Sequence, residues 1–352
     1  ATAFEIDGVD QTGAPVSATV QVSYAGPAST PAALSAAQNL VALNVPTAPA
    51  STSATLGISY SGGGSITTTV LPANQSAAWL AATITSSNQI TLEASAAGLS
   101  PGVYNAALLI GAASAIPQFI EVPVVFLVGN TSGIAVNGLV NGASFQPAFA
   151  PGMVLSVFGS GLSQTTQTVS AFPLPNSLSG VSATINGISA PFYYVSPTQL
   201  NIQIPYETGS GPAILGINNN GQVAYSQFSV SPAATGIFTD SNHALVPQST
   251  ARPGDTLLMF VTGEGEVSPP LLDGVTPFFA TPINLLPQPL LPVTVTVGGI
   301  PAQILFAGVA SGLAGATQVN FVVPANAPLG AQQVVAAVGG IASPPANITI
   351  SE

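Results

Sequence analysis

Apolar and polar residues alternate singly along most of this chain, in short runs that Gly, Pro, Asn or Ser interrupt. A period of two puts every second side chain on one face, which is the pattern of a half-buried β-strand. The clearest runs are VSATVQVSY, TLGISY, SITTTVL, ITLEAS, YNAALLI, IEVPVVFLV, VLSVFG, VSATING, QLNIQIP, AYSQFSV, TLLMFVT, VTVTVGG, AQILFAG, QVNFVVP, QVVAAV and NITIS. They are rich in β-branched residues, which suit a pleated surface. Only PAALSAAQNLVAL and QSAAWLAA hint at a helical period, and both are short enough to be single turns or loops. With 36 Gly and 32 Pro, turns are well supplied. The expected fold class is all-β: three tandem Ig-like β-sandwich domains with an N-terminal extra strand segment.

An internal repeat sets the organisation. PGMVLSVFGSG (from Pro151) matches PGDTLLMFVTG (from Pro253), an offset of 253 − 151 = 102. VSATINGISAP (from Val181) matches VTVTVGGIPAQ (from Val293), an offset of 293 − 181 = 112. QLNIQIP (from Gln199) matches QVNFVVP (from Gln318), an offset of 318 − 199 = 119. Preserved order marks a duplicated domain, and the growing offset means two loop insertions in the second copy, one including VASGLAGA. Asn186-Gly187 and Gly298-Gly299 are favoured pairs for a type I′ hairpin, and Pro205 and Pro324 end their strands because proline donates nothing to a ladder. The expected units are a strand segment at 1–29, a first sandwich at 30–132, and repeat copies at 133–232 and 233–352. The strands ATAFEIDGV and PVSATVQVSYAG in the first segment have two readings: they pair within their own domain, or they complete a sheet of a neighbouring subunit as a donor strand.

Composition then removes whole classes of function. Of 352 residues only 4% are charged, and the single basic residue, Arg252, faces twelve acids, for a net charge of −11. A nucleic-acid partner needs Lys and Arg to displace counterions, and anionic lipid is equally disfavoured. No apolar tract reaches the ~20 residues of a spanning helix. The absence of cysteine excludes disulfides and thiolate metal sites. Starting at Ala1 with no basic leader, the chain reads as exported, with its signal peptide removed, to an extracellular or cell-surface location. Without Lys, and with Arg252 followed by Pro253, it offers trypsin-like proteases almost nothing. Two Met and no Cys leave little to oxidise, and few titratable groups imply little pH-linked change in stability. Durable extracellular material has these properties; biased genomic composition is the plainer alternative.

The series NGASFQPAFAPGMVLSVFGSGLS, GVSATINGISAPFYYVSPTQLNIQIPYE, PAATGIF, PGDTLLMFVTGEGEVSPP, VTVTVGGIPAQILFAG and QVNFVVP resembles the carboxy-terminal region shared by many secreted acidobacterial proteins, the Solibacter-type C-terminal domain. The resemblance spans about 135–350 and implies export and an Ig-like build, with no reaction. This chain departs from it in lacking the usual basic residues. The preceding segment, about 30–129, resembles a BACON domain in SAAWLAATIT, ITLEASAAGLSPGVYNAALLI and IEVPVVFLVG. That resemblance implies an association with carbohydrate or mucin, or a spacer role.

Candidate chemistry is sparse. Trp79 is a glycan-stacking candidate and, alternatively, the plug of a sandwich core. Glu5, Asp7 and Asp10 in EIDGVD are candidate Ca²⁺ ligands, since hard cations gather carboxylate oxygens, but the EF-hand pattern is missing. Glu264 and Glu266 in GEGEV read as a solvated loop rather than a glycosidase pair, for which a set separation across a cleft is required. His243 with Asp240 or Asp255 formally permits a Ser-His-Asp triad. GLSPG around Ser100 spells a nucleophile elbow, yet Pro101-Gly102 leads into a strand where an elbow needs a helix. Arg252 is expected to pair with Asp255, and sequons stand at Asn74, Asn130 and Asn347. No cofactor and no enzyme activity are expected. The favoured function is a secreted structural protein whose partner is itself, forming an extracellular filament or surface layer; the alternative is an adhesin or carbohydrate-binding module that grips surface glycans.

Overall fold

In Gln89–Ser95, Thr317–Val322 and Ala346–Ile350 every second residue is buried, as the alternation demands. A computed structural model describes residues 2–9 and 15–22 by backbone alone and 32–352 in full. Among these residues there is no α-helix, only the 3₁₀ turns Tyr206–Thr208 and Ile283–Leu285. PAALSAAQNLVAL becomes the strands Leu34–Ala36 and Val41–Val45, and QSAAWLAA a turn that runs into the strand Leu80–Ser86. Alanine's helix preference is worth only tenths of a kcal/mol per residue, ~0.7 at most over strand formers, and sheet pairing overrides it.

The chain is all-β, built as tandem Ig-like sandwiches of two sheets each. The first packs Leu34–Ala36, Ser51–Tyr60, Gln89–Ser95 and Leu80–Ser86 against Val41–Val45, Phe119–Val128, Gly102–Ala112 and Ile66–Pro72. Its core is formed by Leu56, Ile90, Leu92, Leu108, Ile110 and Phe126. The second packs the sheet of Ala135–Asn141, Val154–Ser160, Gln199–Gln203, Phe192–Val195 and Gln167–Thr168 on that of Ser177–Leu178, Val181–Ile185, Gly211–Asn219 and Gln222–Val230. The third repeats that plan with Gly236–Ile237, Thr256–Thr262, Thr317–Val322 and Gln303–Val309 over a sheet centred on Val293–Val297, Gly330–Val338 and Ala346–Ile350.

The repeat read in the sequence reappears in the strand register. Val154 pairs with Gln203 and Phe158 with Gln199; adding 102 and 119 gives Thr256 with Val322 and Phe260 with Gln318, which are the observed pairs. Likewise Val181 pairs with Asn219 and Ile185 with Leu215, while Val293 pairs with Val338 and Val297 with Val334. Asn186-Gly187 and Gly298-Gly299 all have positive φ, between 49° and 80°, as a type I′ turn requires. A slip of one residue would turn each apolar face outward, so shared pattern enforces shared register.

Thr2–Val9 pairs antiparallel with Pro15–Val22, from Thr2 with Val22 to Val9 with Pro15. They form a two-stranded sheet of their own; among the described residues neither strand joins a sheet of the sandwiches.

Gly161 and Gly263, 102 positions apart, have φ of 64° and 85°. A Cβ on Gly161 would lie 1.9 Å from Gly133 O, and one on Gly263 would lie 2.0 Å from Ala234 O. Gly221 shares the left-handed φ, at 89°, but has open space around it. Gly161→Ala and Gly263→Ala are each expected to lower the unfolding free energy by roughly 3 kcal/mol, and Gly221→Ala by only about 1. Urea titration of the three variants checks the order; equal losses would contradict the shared close approach.

Candidate functional site

The two repeat copies meet across a junction held by neutral side chains. Thr262 Oγ1 accepts from the Val154 N–H (2.9 Å) and donates to Gly315 O (2.6 Å). Gln203 Nε2 donates to Gly152 O (2.9 Å), and its Oε1 accepts from the Gly274 N–H (2.6 Å). Asn141 Nδ2 donates to Ala234 O at 2.7 Å. Tyr193 Oη donates to Ala314 O at 2.7 Å. Ala314 and Gly315 belong to the later insertion of the second copy, which forms a strap between the copies, and Gly274 of the earlier insertion adds a further tie. Asn141, Gln203 and Thr262 are buried, so breaking any of these bonds strands a partner away from water.

Beside this strap lies a carboxyl that sequence reading placed in a solvated loop. Glu264 is fully buried, at 0% exposure. Gly263 and Gly265, with φ of 85° and 76°, turn the chain back so that Glu264 enters the junction while Glu266 stays outside. Both Glu264 carboxylate oxygens, Thr317 Oγ1 and Tyr206 Oη are buried without a hydrogen-bond partner. Burial pushes the Glu264 carboxyl up to about 7, against weaker pulls from its own and the Gly263 backbone and from the Thr317 hydroxyl. Burial, and then Glu264 and its acidic neighbours, push the Tyr206 phenol up. Asp273 accepts from the Tyr206 N–H at 2.9 Å. Desolvation still raises its carboxyl, with Glu207 and Glu266 adding to the shift. With no surface at all, Glu264 touches no substrate, and its chemistry is confined to the fold.

Residues of both copies also line an open cleft of about 660 Å³. Its floor is the outer face of the first copy at Val154, Tyr194, Gln199 and Asn201, and its opposite wall is Phe238, Phe260 and Leu313 of the second. Gln199 and Asn201 are the Gln and Asn of QLNIQIP, two residues apart and therefore on one face. Gln199 Nε2 donates to Asn201 Oδ1 at 2.9 Å, and Gln318 Nε2 donates to Asn320 Oδ1 at 2.8 Å in the other copy. No feature of sequence marked this cleft, since its floor and its opposite wall come from segments separated by 238 − 201 = 37 residues or more.

The remaining sequence candidates scatter. Trp79 is 6% exposed and stacks on Phe126, ring centres 5.3 Å apart, in the first sandwich core, the position of a core plug. Its Nε1 is buried without a partner. Asp10 and the side chains of Glu5 and Asp7 lie outside what the structure describes. Ser100 sits in an exposed turn of the first sandwich that leads into the strand Gly102–Ala112, while His243 is exposed on the third. Asp240 Oδ1 accepts from the Asn242 and Ala244 N–H groups (2.9 and 2.8 Å); those bonds, the Ala244 one first, lower its carboxyl. Asp255 meets Arg252 through the backbone N–H (2.8 Å), the geometry of a turn. Of the sequon residues, Asn74 Nδ2 donates to Asn186 O (3.0 Å), bridging the first two sandwiches.

No protein-family model and no curated protein matches the sequence. Among solved structures, the chain is similar to the I-band fragment I67–I69 from titin at 11% identity, covering 92% of this chain and 99% of that one with a TM-score of 0.21. It is similar to a Dpr2 Ig1–Ig2 complex with DIP-Theta Ig1–Ig3 at 9% identity, with 90% and 99% covered and a TM-score of 0.22. It also aligns with an endo-fucoidan hydrolase of glycoside hydrolase family 107 at 14% identity, covering 92% of this chain and 44% of that one with a TM-score of 0.24. None of these values carries a residue's role across to this chain.

The buried acid runs against the expectation of little pH-linked change in stability. Glu264 ionises near 4.5 when unfolded and at about 7 when folded. The native state therefore holds the extra proton between those values, and stability falls as pH rises through that window. The loss amounts to about 3 kcal/mol, and Asp273 acts in the same direction. Denaturant midpoints are expected to be higher at about pH 5 than at about pH 8, and Glu264→Gln is expected to remove about half of the difference, the rest belonging to Asp273. A wild-type midpoint that rises with pH over this range would refute the assignment.

Proposed function

We infer that this chain is an extracellular structural protein whose copies assemble into a filament or surface layer. The observation that carries this reading is the Thr2–Val9 and Pro15–Val22 hairpin, which pairs only with itself among the described residues. A lone two-stranded hairpin is marginal in water, and its outer edges are suited to adding strands to another molecule's sheet. Each sandwich presents edge strands that can receive it.

A second surface supports the reading. The earlier insertion of the second copy, between Thr262 and Val293, exposes Leu272, Phe278, Phe279, Ile283, Leu285 and Leu290. Phe278 and Phe279 are 85% and 90% exposed. Apolar side chains so concentrated in one exposed segment mark a contact surface. A surface with almost no charge lets copies approach without the cost of burying ions, and a heterologous contact that does not close propagates as a fibre. No helix among the described residues is long and apolar enough to cross a membrane.

Electron microscopy of the purified chain is expected to show regular polymers, and removal of residues 1–31 is expected to leave monodisperse monomers. Phe278→Ser with Phe279→Ser is expected to weaken assembly while leaving the unfolding midpoint unchanged. A full-length chain that stays monomeric at high concentration would sink the reading.

A further inference from the structure

The cleft between the copies has a chemistry separate from self-assembly. Asn201 Oδ1 is occupied twice, by Gln199 Nε2 (2.9 Å) and by Ser156 Oγ (3.1 Å). Its amide is thereby oriented, and among the described residues Asn201 Nδ2 and Gln199 Oε1 have no protein partner. Both residues are half-buried and line the cleft. The floor therefore offers a donor and an acceptor side by side, set by a rigid strand, with the rings of Tyr194, Phe238 and Phe260 around them.

We propose that this cleft binds a neutral carbohydrate chain. A sugar hydroxyl both donates and accepts, so a pair of adjacent hydroxyls satisfies Asn201 Nδ2 and Gln199 Oε1 together. The C–H faces of the sugar ring pack on aromatic faces, and a mainly apolar cleft with a few convergent polar groups is the usual form of such a site. Other ligand classes fit less well. An acyl chain would cover the amide pair and leave it unsatisfied. An anionic polysaccharide meets no basic residue in the cleft and twelve acids elsewhere on the chain. A peptide adding as a strand needs a free edge, whereas the floor is a sheet face whose main chain is already paired, Val154 with Gln203 and Ser156 with Asn201. The Gln318 and Asn320 pair repeats the amide arrangement in the other copy, but the lining of this cleft does not include it.

Isothermal titration of the full-length chain with neutral hexasaccharides of glucose and of mannose tests the assignment, with hexagalacturonate and laurate as contrasts. At least one neutral hexasaccharide is expected to bind. Asn201→Ala and Tyr194→Ala are each expected to weaken it about tenfold, the loss of one good contact, and Asn320→Ala is expected to leave it unchanged. Because Tyr194→Ala thins the packing, Leu313→Trp provides a second route: it fills the cleft from the strap and is expected to abolish binding in a chain with an unaltered unfolding midpoint. The proposal is overturned if no neutral hexasaccharide binds at millimolar concentration, if binding survives Asn201→Ala and Leu313→Trp, or if only laurate or hexagalacturonate binds. Polymer formation is scored separately by microscopy, so failure of the assembly reading leaves this result intact, and the reverse holds.

Discussion

Neutral hydrogen bonds across the repeat junction hold this molecule in the arrangement on which its sites depend. A chain with one basic side chain has almost no ion pairs to place between domains, and it uses amides and hydroxyls instead. Asn141, Gln203 and Thr262 each reach a backbone group of the other copy or of its neighbouring loop. Such bonds are worth about 1 kcal/mol net when made, but cost more when a buried partner is left alone. The junction is therefore specific: a small shift would strand several groups at once. The same logic serves the first joint, where Val103, Val125 and Leu127 pack on Ile214 and Val223 and Asn218 Nδ2 donates to Pro101 O at 2.9 Å.

Duplication set up this junction and insertion gave it new parts. The copies share strand register to the residue, so their outer faces begin alike. The second copy then adds two loops of different character. The later one turns inward, gives Ala314 and Gly315 to the strap, and closes the aromatic cleft. The earlier one carries Phe278 and Phe279 into solvent. Both insertions bind the molecule to itself, the earlier one through Asp273 and Gly274, and the earlier one also carries an apolar patch into solvent.

Glu264 stands apart within this neutral economy. Its burial without a partner opposes folding above its own ionisation range, and Thr317 and Tyr206 beside it are unpartnered too. The consequence is an acid-favoured junction in a chain otherwise poor in titrating groups.

Much of the architecture was legible from the sequence because its causes are local. Alternation, β-branching and Gly or Pro punctuation act within a few residues, and so they predict strands, hairpins at Asn186-Gly187 and Gly298-Gly299, and a repeat whose offsets reappear in the pairing. The two Ala-rich stretches were ambiguous because weak propensity yields to pairing partners far along the chain. Tertiary structure alone decided the sites. Glu264 looks like any loop acid until Gly263 and Gly265 fold it against Thr317 and Tyr206, about fifty residues away on either side. In one dimension Trp79 reads as a possible ligand contact or a core plug, and the Gln199–Asn201 pair only as part of a repeated strand. Packing on Phe126 buries the first, and the facing wall of Phe238 and Phe260 makes a cleft over the second. Burial and enclosure are sums over distant neighbours, and a single sequence does not name those neighbours.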